Sequence, residues 1–398
     1  MNVKHKPLKR GFIMAACLLT MSILAVREAM VCSVDYIIWM PRDKQADPLY
    51  RFESGGMTGY IDRSGKVVIE PKFSRRGNYG GEFRNGLMEI GVSDGEYVDT
   101  TGKLVINKGY YRGWDFSEGL AVAMRNDGEK WGYIDRTGEF VISPRFDSYP
   151  EGSVRSFSDG LAAIEVKNRV GYIDQSGEFT IQPTFLNGSD FKDGMARVVV
   201  EGPCHHLDDG ICSFLPITLE NEMPFCKYTF IDKSGVILTS QRYDRAKDFS
   251  EGLAPVQIGT QWGFIDKNGN IVINMQFDAA EPFSDGLALI RQNDLWGYIN
   301  YAGIIVIPPK YKYAEPFSEE LAVVGDWDDI RSAYDYYYIN TQGEQAISER
   351  FTLASHFFKG LAHVKLKPDP GKNMSDAVAN GSFAYIDATG RKIFVYAY

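Results

Sequence analysis

The stretch "WGFIDKNGNIVI" at residues 262–273 decides the fold of this chain, because close copies of it recur along the sequence. The same pattern reads "WGYIDRTGEFVI" at 131–142 and "WGYINYAGIIVI" at 296–307. In each copy, aromatic and β-branched residues flank an Asp or Asn that stands three positions before a Gly. Such flanks favour β-strands, and Asp and Gly at the first and fourth corners favour a type I turn. The stretch therefore predicts a β-hairpin.

The hairpin signature occurs nine times, and a second signature alternates with it. The nine closing glycines are Gly65, Gly102, Gly138, Gly177, Gly235, Gly269, Gly303, Gly343 and Gly390. Relatives of "FSEGLA" (249–254) lie between the hairpins, and the segment that follows, such as "LAPVQI" at 253–258, predicts a third short strand. The period is close to 34 residues, as between the glycines at 235, 269 and 303. The repeat unit is therefore expected to contain about three antiparallel strands.

A unit of this size cannot bury a core by itself, so the copies are expected to stack and cover one another. The sequence predicts an all-β array of about nine three-stranded antiparallel units. Because propeller blades usually have four strands and number four to eight, an open, solenoid-like array is expected, with a β-propeller or closed barrel as the alternative. The residues assigned to this scaffold are Trp131, Gly132, Asp135, Gly138, Trp262, Gly263, Asp266, Gly269, Trp296, Gly297 and Gly303.

Alternation along a strand places Trp262 and Phe264 on one face, with Gly263 and Ile265 on the other. The absence of a side chain at Gly263 is expected to let a neighbouring ring or backbone approach closely.

The order "FSEGLA", then "WGYIDxxGxxVI", then Pro and Phe resembles the WG-repeat family of bacterial proteins over about residues 57–398. Trp-Gly itself survives in only three copies, at Trp131, Trp262 and Trp296. The resemblance implies an all-β repeat array and, beyond that, no assigned activity.

The N-terminus has the order of an export signal. "MNVKHKPLKR" is basic, and the apolar run at 11–26 is short for a membrane-spanning helix. Residues 1–33 are therefore expected to be a signal peptide or an N-terminal membrane anchor helix, and 34–56 a linker. The repeat domain is expected at 57–398, and the protein in the periplasm, at the cell surface or secreted.

Composition indicates a folded, acidic protein. Of 398 residues, 44% are apolar and 24% charged, and the net charge is −9. No basic cluster follows the first ten residues, so nucleic acid is not an expected partner. Membrane contact is expected only through a possible N-terminal anchor.

Three insertions interrupt the repeats, at 201–228, 325–336 and 365–382. The first contains Cys204, Cys212 and Cys226, and export would favour a disulfide among them, although spacing does not give the pairing. Zinc bound by these cysteines with His205 and His206 is the less favoured alternative, because the spacing matches no familiar ligand pattern. The acidic, aromatic segment at 325–338 is expected to be a solvated loop, since it lacks the order of a calcium loop.

No catalytic residue, metal site or cofactor is predicted. The repeated Asp of the hairpin is replaced by Asn at Asn300 and Asn340, which a turn tolerates and a catalytic carboxylate would not. No hydrolase, zinc-protease or phosphate-loop motif is present. The expected function is non-catalytic: an exported scaffold of the cell envelope that presents a binding surface to a protein or to an envelope glycan or polymer. The alternatives are a hydrolase with its site in a groove of the array and a purely structural spacer.

Overall fold

The computed structural model describes residues 48–74, 81–90, 95–110, 112–125, 130–147, 154–202, 226–329, 332–367 and 382–397. These residues form 31 strands in nine antiparallel sheets, and they contain no helix. Each sheet takes three or four strands in chain order, so the described part of the chain is a succession of small β-meanders. The expectation of an all-β chain is confirmed, and none of the sheets closes on itself as a barrel.

The first three sheets contain the following strands: sheet 1, β1 (Tyr50–Ser54), β2 (Met57–Ile61) and β3 (Val67–Ser74); sheet 2, β4 (Leu87–Glu89), β5 (Tyr97–Asp99) and β6 (Leu104–Ile106); sheet 3, β7 (Arg112–Gly113), β8 (Ala121–Met124), β9 (Lys130–Ile134) and β10 (Phe140–Asp147). The next three contain: sheet 4, β11 (Ala162–Val166), β12 (Arg169–Ile173) and β13 (Phe179–Phe185); sheet 5, β14 (Asn187–Gly188), β15 (Met195–Glu201) and β16 (Lys227–Asp232); sheet 6, β17 (Arg245–Ala246), β18 (Leu253–Ile258), β19 (Gln261–Asp266) and β20 (Ile271–Phe277). The last three contain: sheet 7, β21 (Ala279–Ser284), β22 (Leu287–Gln292), β23 (Leu295–Ile299) and β24 (Ile305–Tyr311); sheet 8, β25 (Tyr313–Ala314), β26 (Leu321–Asp328) and β27 (Ala333–Asn340); sheet 9, β28 (Leu353–Ala354), β29 (Ala362–Lys365), β30 (Phe383–Ile386) and β31 (Lys392–Tyr396).

The Asp-Gly hairpin forms as the sequence predicts. Between β19 and β20, the amide of Gly269 donates to the carbonyl of Asp266 at 3.0 Å, and Gly269 has φ of +78°. The Asp266 carboxylate accepts the amides of Asn268 at 2.9 Å and Asn270 at 2.8 Å. Asn300 accepts the amides of its own turn in the same way, at 3.1 Å. This shows why Asn replaces Asp at this corner: the turn needs an oxygen acceptor and no charge.

The "FSEG" signature is a second tight turn, which the sequence analysis did not identify. Ser250 and Leu253 exchange both backbone hydrogen bonds, at 3.0 and 3.2 Å. The two residues between them, Glu251 and Gly252, have φ of +53° and +88°. Two central residues with positive φ are characteristic of the type I′ turn of two-residue hairpins. The turn joins the short first strand β17 to β18, so the unit of sheet 6 has four strands where the sequence predicted about three.

The glycine of the Trp-Gly pair is required by the fourth strand of its own sheet. A Cβ built on Gly263 would lie 2.5 Å from the carbonyl oxygen of Ile273, and one on Gly297 would lie 2.6 Å from that of Ile307. The ladder between β19 and β20 shifts register at this point, which brings the β20 backbone over the glycine. The predicted close approach at Gly263 is confirmed, and the approaching groups are the β20 main chain at Ile273 and the side-chain sulfur of Met275.

The hydrophobic core consists of clusters that each lie between consecutive sheets. Trp262 and Phe264 pack with residues of sheet 7, whereas Ile265 packs with residues of sheet 5, as alternation predicts. The two repeated signatures are the two halves of each interface, because the hairpin aromatic of one sheet contacts the "FS" phenylalanine of the next. Tyr298 and Phe317, for example, have ring centroids 4.8 Å apart.

A hydroxyl reinforces this contact wherever the hairpin aromatic is Tyr. Tyr298, fully buried, donates at 2.8 Å to the carbonyl of Glu315, which directly follows the first strand of the next sheet. The equivalent donors are Tyr60, Tyr97, Tyr133, Tyr172, Tyr338 and Tyr385. Sheets 5 and 6 carry Phe230 and Phe264 at this position and rely on ring packing alone.

The succession of interfaces returns to its start, because sheet 9 packs against sheet 1. Tyr385 donates to the carbonyl of Arg51 at 2.6 Å, and its ring centroid lies 5.4 Å from that of Tyr50. Phe52 contacts Phe394 edge-to-face at 4.9 Å. Nine core clusters therefore join the nine described sheets in a closed cycle. The preference for an open, solenoid-like array is wrong: the terminal sheets use the same contact as interior sheets, and the sequence pattern contains no information on which copies meet.

Two expected boundaries also change. Residues 50–54 lie in the segment assigned as a linker, but they form β1 and pair with β2. Residues 325–328 and 333–336, in the segment expected to be a solvated loop (325–338), continue a regular ladder in which Asp328 pairs with Ala333. The predicted signal or anchor helix at 1–33 lies outside the described residues.

Tyr385→Phe tests the closed cycle. We expect it to lower the free energy of unfolding by about 1–2 kcal/mol, because a buried carbonyl loses its donor, and Tyr298→Phe in the interior of the array should cost a similar amount. Urea unfolding of both variants measures this. If Tyr298→Phe destabilises the protein and Tyr385→Phe does not, sheets 9 and 1 are not in contact.

Gly263→Ala tests the role of the Trp-Gly glycine. Its new methyl group would meet the carbonyl of Ile273, so we expect a loss of about 1–3 kcal/mol in urea unfolding. Gly81→Ala is the control, because a Cβ there meets nothing closer than Met88 Cγ at 3.4 Å. If the two variants had equal free energies of unfolding, the close approach of β20 to Gly263 would contribute nothing to stability.

Candidate functional site

The connections between strands divide the sheets into two ends with different properties. In an antiparallel meander, successive connections lie at alternate ends. The first-to-second and third-to-fourth connections carry the two tight turns, and we call this end the turn face. Tyr301 of one such turn donates to Glu251 of another at 2.7 Å, which confirms that the two turn types are neighbours. We call the opposite end, with the second-to-third connections, the insertion face.

The carboxylates of the turn face are occupied by the scaffold. Asp135 Oδ1 accepts the hydroxyl of Thr137 at 2.6 Å and the amide of Glu139 at 3.1 Å. The hydroxyl bond from Thr137 lowers the pKa of Asp135, although the side chain is largely exposed. A carboxylate already engaged by three donors in a turn is poorly placed to act as a base or a metal ligand. The geometry is therefore that of a structural element.

A second series of carboxylates on the turn face links one sheet to the next. Asp159 of sheet 4 accepts the amide of Gly194 in sheet 5 at 2.7 Å. Asp193 of sheet 5 accepts the amide of Gly252 in sheet 6 at 2.7 Å. Glu118, Glu251, Asp285 and Glu319 make the corresponding bonds. The sequence signal was present as the acid of "FSEG", but its partner lies between 34 and 59 residues away.

The three insertions interrupt the second-to-third connections of sheet 5 (β15 to β16), sheet 8 (β26 to β27) and sheet 9 (β29 to β30). The described strand ends that flank them therefore lie on the insertion face. In sheet 7 the same connection is a tight turn between the paired residues Gln292 and Leu295. Much of the first and third insertions lies outside the described residues, so the site is described from sheet 8.

The sheet-8 hairpin exposes a cluster of aromatic side chains on one of its sides. Trp327 and Tyr334 pair directly across the ladder, with ring centroids 5.0 Å apart and planes at 75°. Tyr336 and Tyr313 continue the cluster, with centroids 5.1 Å apart. Trp327 is 38% exposed and the three tyrosines are partly buried. We call Tyr313, Trp327, Tyr334 and Tyr336 the aromatic surface.

Gly325 allows the aromatic surface to form. It pairs with both Tyr313 and Tyr336, and a Cβ at Gly325 would lie 3.2–3.4 Å from atoms of Tyr313, Tyr334 and Tyr336. The rings therefore settle over the glycine, and the ladder fixes their spacing. From the sequence alone, the aromatic residues of 325–338 are expected in a solvated loop. Which of them share a side depends on the register between the two strands, and the sequence does not show that register.

The other side of the hairpin carries paired charges. Arg350 donates to Asp326 at 2.7 Å, and its guanidinium lies 4.1 Å from the ring centroid of Tyr337. Lys367 donates to Asp335 at 2.7 Å. Both carboxylates of this ladder pair are thus neutralised by cations from neighbouring segments.

A buried carboxyl group lies beside the aromatic surface. Glu315 is 6% exposed and accepts the hydroxyl of Tyr313 at 2.6 Å. Burial raises the pKa of Glu315 to about 7, although the hydrogen bond from Tyr313 opposes that rise. Glu281 occupies the same place in the "AEPFS" motif of sheet 7, but its carboxylate accepts a hydrogen bond from Lys247 Nζ at 2.5 Å. The carboxylate of sheet 7 is therefore paired with a lysine, whereas the carboxyl group of sheet 8 has a tyrosine hydroxyl as its partner.

The predicted scaffold residues lie in the hairpin turns and between the sheets, and none of them belongs to the aromatic surface. Trp131 and Trp262 are buried between sheets, and Trp296 is partly buried. Cys226 is buried just before β16, whereas Cys204 and Cys212 lie outside the described residues, so the disulfide stays a prediction. His205 and His206 also lie outside them. Among the residues that the structure describes, no three His, Cys, Asp or Glu side chains converge as metal ligands, and no helix is long and apolar enough to cross a membrane.

Comparison with known proteins identifies the repeat. The family model described as "WG containing repeat" matches residues 59–87, 97–128, 131–169, 171–202, 228–259, 262–296 and 296–325, more than half of the chain. No curated protein matches the sequence.

Several solved structures share the β architecture at low identity. A eukaryotic initiation factor has a TM-score of 0.59 at 10% identity, over 89% of this chain and 96% of that one. AztD of Citrobacter koseri has a TM-score of 0.37 at 13% identity, over 75% of this chain and 90% of that one. Virginiamycin B lyase of Staphylococcus aureus has a TM-score of 0.29 at 12% identity, over 76% of this chain and 94% of that one. At these identities, the likeness to the initiation factor bears on the fold alone, and the other two carry no argument.

Glu315→Gln tests the buried carboxyl group. Because the pKa is raised in the folded protein, the stability that Glu315 contributes is fully present below the unfolded pKa and is lost as the pH rises through about 7. The amide should therefore stabilise the protein at pH 8 by about 1–3 kcal/mol and leave it nearly unchanged at pH 4, as measured by urea unfolding at both values.

Glu281→Gln is the matched control, since it removes the partner of Lys247 and should destabilise the protein at pH 8. If Glu315→Gln were destabilising at pH 8, Glu315 would have to be ionised and stabilised in the folded state.

Proposed function

We propose that this chain, which belongs to the WG-containing repeat family, is an exported binding protein without catalytic activity. Its nine sheets act as the blades of a propeller, and its insertion face contacts the partner. One observation carries the proposal: the three insertions interrupt the same connection of their sheets, so the described strand ends that flank them lie on one face. A scaffold that diversifies at one end only is typical of proteins that bind through loops held by rigid elements.

The contrast between the two faces supports this assignment. On the turn face, carboxylates and amides bond to one another within and between sheets, so few polar groups remain for a ligand. On the insertion face, the sheet-8 hairpin holds Trp327 in a regular ladder and still exposes it. Tyr, Trp and Arg are the residues that most often dominate binding surfaces. Tyr334 and Trp327 lie together on one side of this hairpin, and Arg350 contacts its other side through Asp326.

The location follows from the N-terminal sequence order. A basic segment followed by the apolar run at 11–26 directs export, by cleavage or as an anchor. The partner is then a protein, glycan or polymer of the cell envelope. The acidic net charge of −9 argues against nucleic acid.

Selective removal of the insertions tests the proposal. Two variants replace residues 203–225 or 368–381 by an Asn-Gly turn, and a third shortens the sheet-8 hairpin to the two-residue turn of sheet 7. Asp266→Asn serves as the control on the turn face, where Asn300 shows that the amide is tolerated. Each protein is mixed with cell-wall and membrane fractions of the envelope and sedimented, after its folding has been confirmed by thermal unfolding.

We expect the native chain and Asp266→Asn to sediment with one fraction, and at least one insertion variant to remain in solution. If the native chain sediments with neither fraction, or if all three folded insertion variants still sediment with it, the insertion face is not the binding face.

A further inference from the structure

We propose that the aromatic surface of sheet 8 binds a neutral polysaccharide by stacking uncharged sugar rings on Trp327 and Tyr334. The inference rests on the proposed binding function and names the chemistry of the partner. A pyranose ring offers a flat face of C–H groups and an edge of hydroxyl groups. A protein site for it needs an exposed aromatic face and, beside it, both hydrogen-bond donors and acceptors.

The aromatic face is present and held in place before any ligand arrives. Trp327 lies within a regular strand, opposite Tyr334 in the ladder, and remains 38% exposed. Its ring is braced edge-to-face at 5.0 Å by Tyr334, which in turn lies 5.9 Å from Tyr336. Rings fixed by strand register lose little conformational freedom on binding, which favours affinity.

The neighbouring charges are already paired, which favours an uncharged ligand. Asp326 is bonded to Arg350 at 2.7 Å and Asp335 to Lys367 at 2.7 Å. A paired carboxylate retains acceptor lone pairs and a paired guanidinium retains N–H donors, and a sugar hydroxyl can bond to either because it both donates and accepts. A charged polymer would have to compete with these ion pairs. Asp326 and Asp335 therefore give the hairpin polar edges whose charge is balanced by Arg350 and Lys367.

The size of the surface favours a polymer of small rings over a globular protein. Stable protein interfaces bury about 800 Å² on each partner around several anchoring residues. Among the large apolar side chains of the described part of this hairpin, Trp327 is the one exposed beyond a third. Trp327 and Tyr334, with ring centroids 5.0 Å apart, match one or two sugar units better than they match a broad protein surface, and a protein partner becomes one outcome of the test.

Affinity electrophoresis of the full chain tests the inference. The protein migrates through native gels that contain a neutral glucan, a neutral mannan or the anionic polymer polygalacturonate. We expect retardation by at least one neutral polymer and none by polygalacturonate. Trp327→Ala should weaken the apparent affinity about tenfold, because one stacking contact is lost, and Trp327→Tyr should recover part of it. Tyr301→Ala is the matched control: it removes a 44% exposed ring from the turn face and should bind as the native chain does.

The inference is overturned if neither neutral polymer retards the native chain, if polygalacturonate retards it equally, or if Trp327→Ala binds as tightly as Tyr301→Ala. These results differ from failure of the proposed function. If neutral polymers have no effect while the chain still sediments with an envelope fraction through its insertion face, the partner is a protein or a charged polymer and the binding function stands.

Discussion

The contact between the hairpin aromatic of one sheet and the first strand of the next is the constraint on which the whole array depends. It combines ring packing against the "FS" phenylalanine with, in seven described sheets, a hydroxyl donated to a buried carbonyl, as from Tyr298 to Glu315. A small meander cannot exclude water from its own interior, so each sheet completes the core of its neighbour. The same contact, made by Tyr385 to Arg51, joins the last sheet to the first and leaves neither terminal sheet uncovered.

The turn residues make that contact repeatable. The Asp-Gly turn fixes the third and fourth strands, and the type I′ turn of "FSEG" places the phenylalanine at the end of the first. Acids such as Asp193 then accept an amide from the equivalent turn of the next sheet. Because these groups satisfy one another, the turns keep their length and their acceptor positions, although the residues between them differ from copy to copy. The insertions interrupt the connections of the opposite end, where a longer connection disturbs neither turn.

Because the turn face holds the array together, both functional proposals concern the insertion face. The sheet-8 hairpin differs from its counterparts by length, by Gly325 and by the exposed Trp327, and each difference leaves the inter-sheet contact intact. The buried Glu315 lies in a motif shared with sheet 7, yet its environment is set by Tyr313 in place of a lysine. Copy-specific residues on a common framework are the natural place for a function that the framework does not need.

The sequence by itself determined the local structure: the nine hairpins, the turn corners at Asp and Gly, the alternation of Trp262 and Ile265, and the close approach at Gly263. These local features depend on residues that are close in the sequence, and each copy of the repeat contains those residues. Tertiary structure alone decided which copies touch, and so it replaced the solenoid by a closed cycle and revealed β1 in a segment read as linker. It also turned the residues around Trp327 into an ordered surface, because register across two strands decides which rings share a side. Identical local patterns are compatible with open and closed arrays alike, since closure depends on the angle between sheets summed over nine interfaces, and no single repeat encodes that sum.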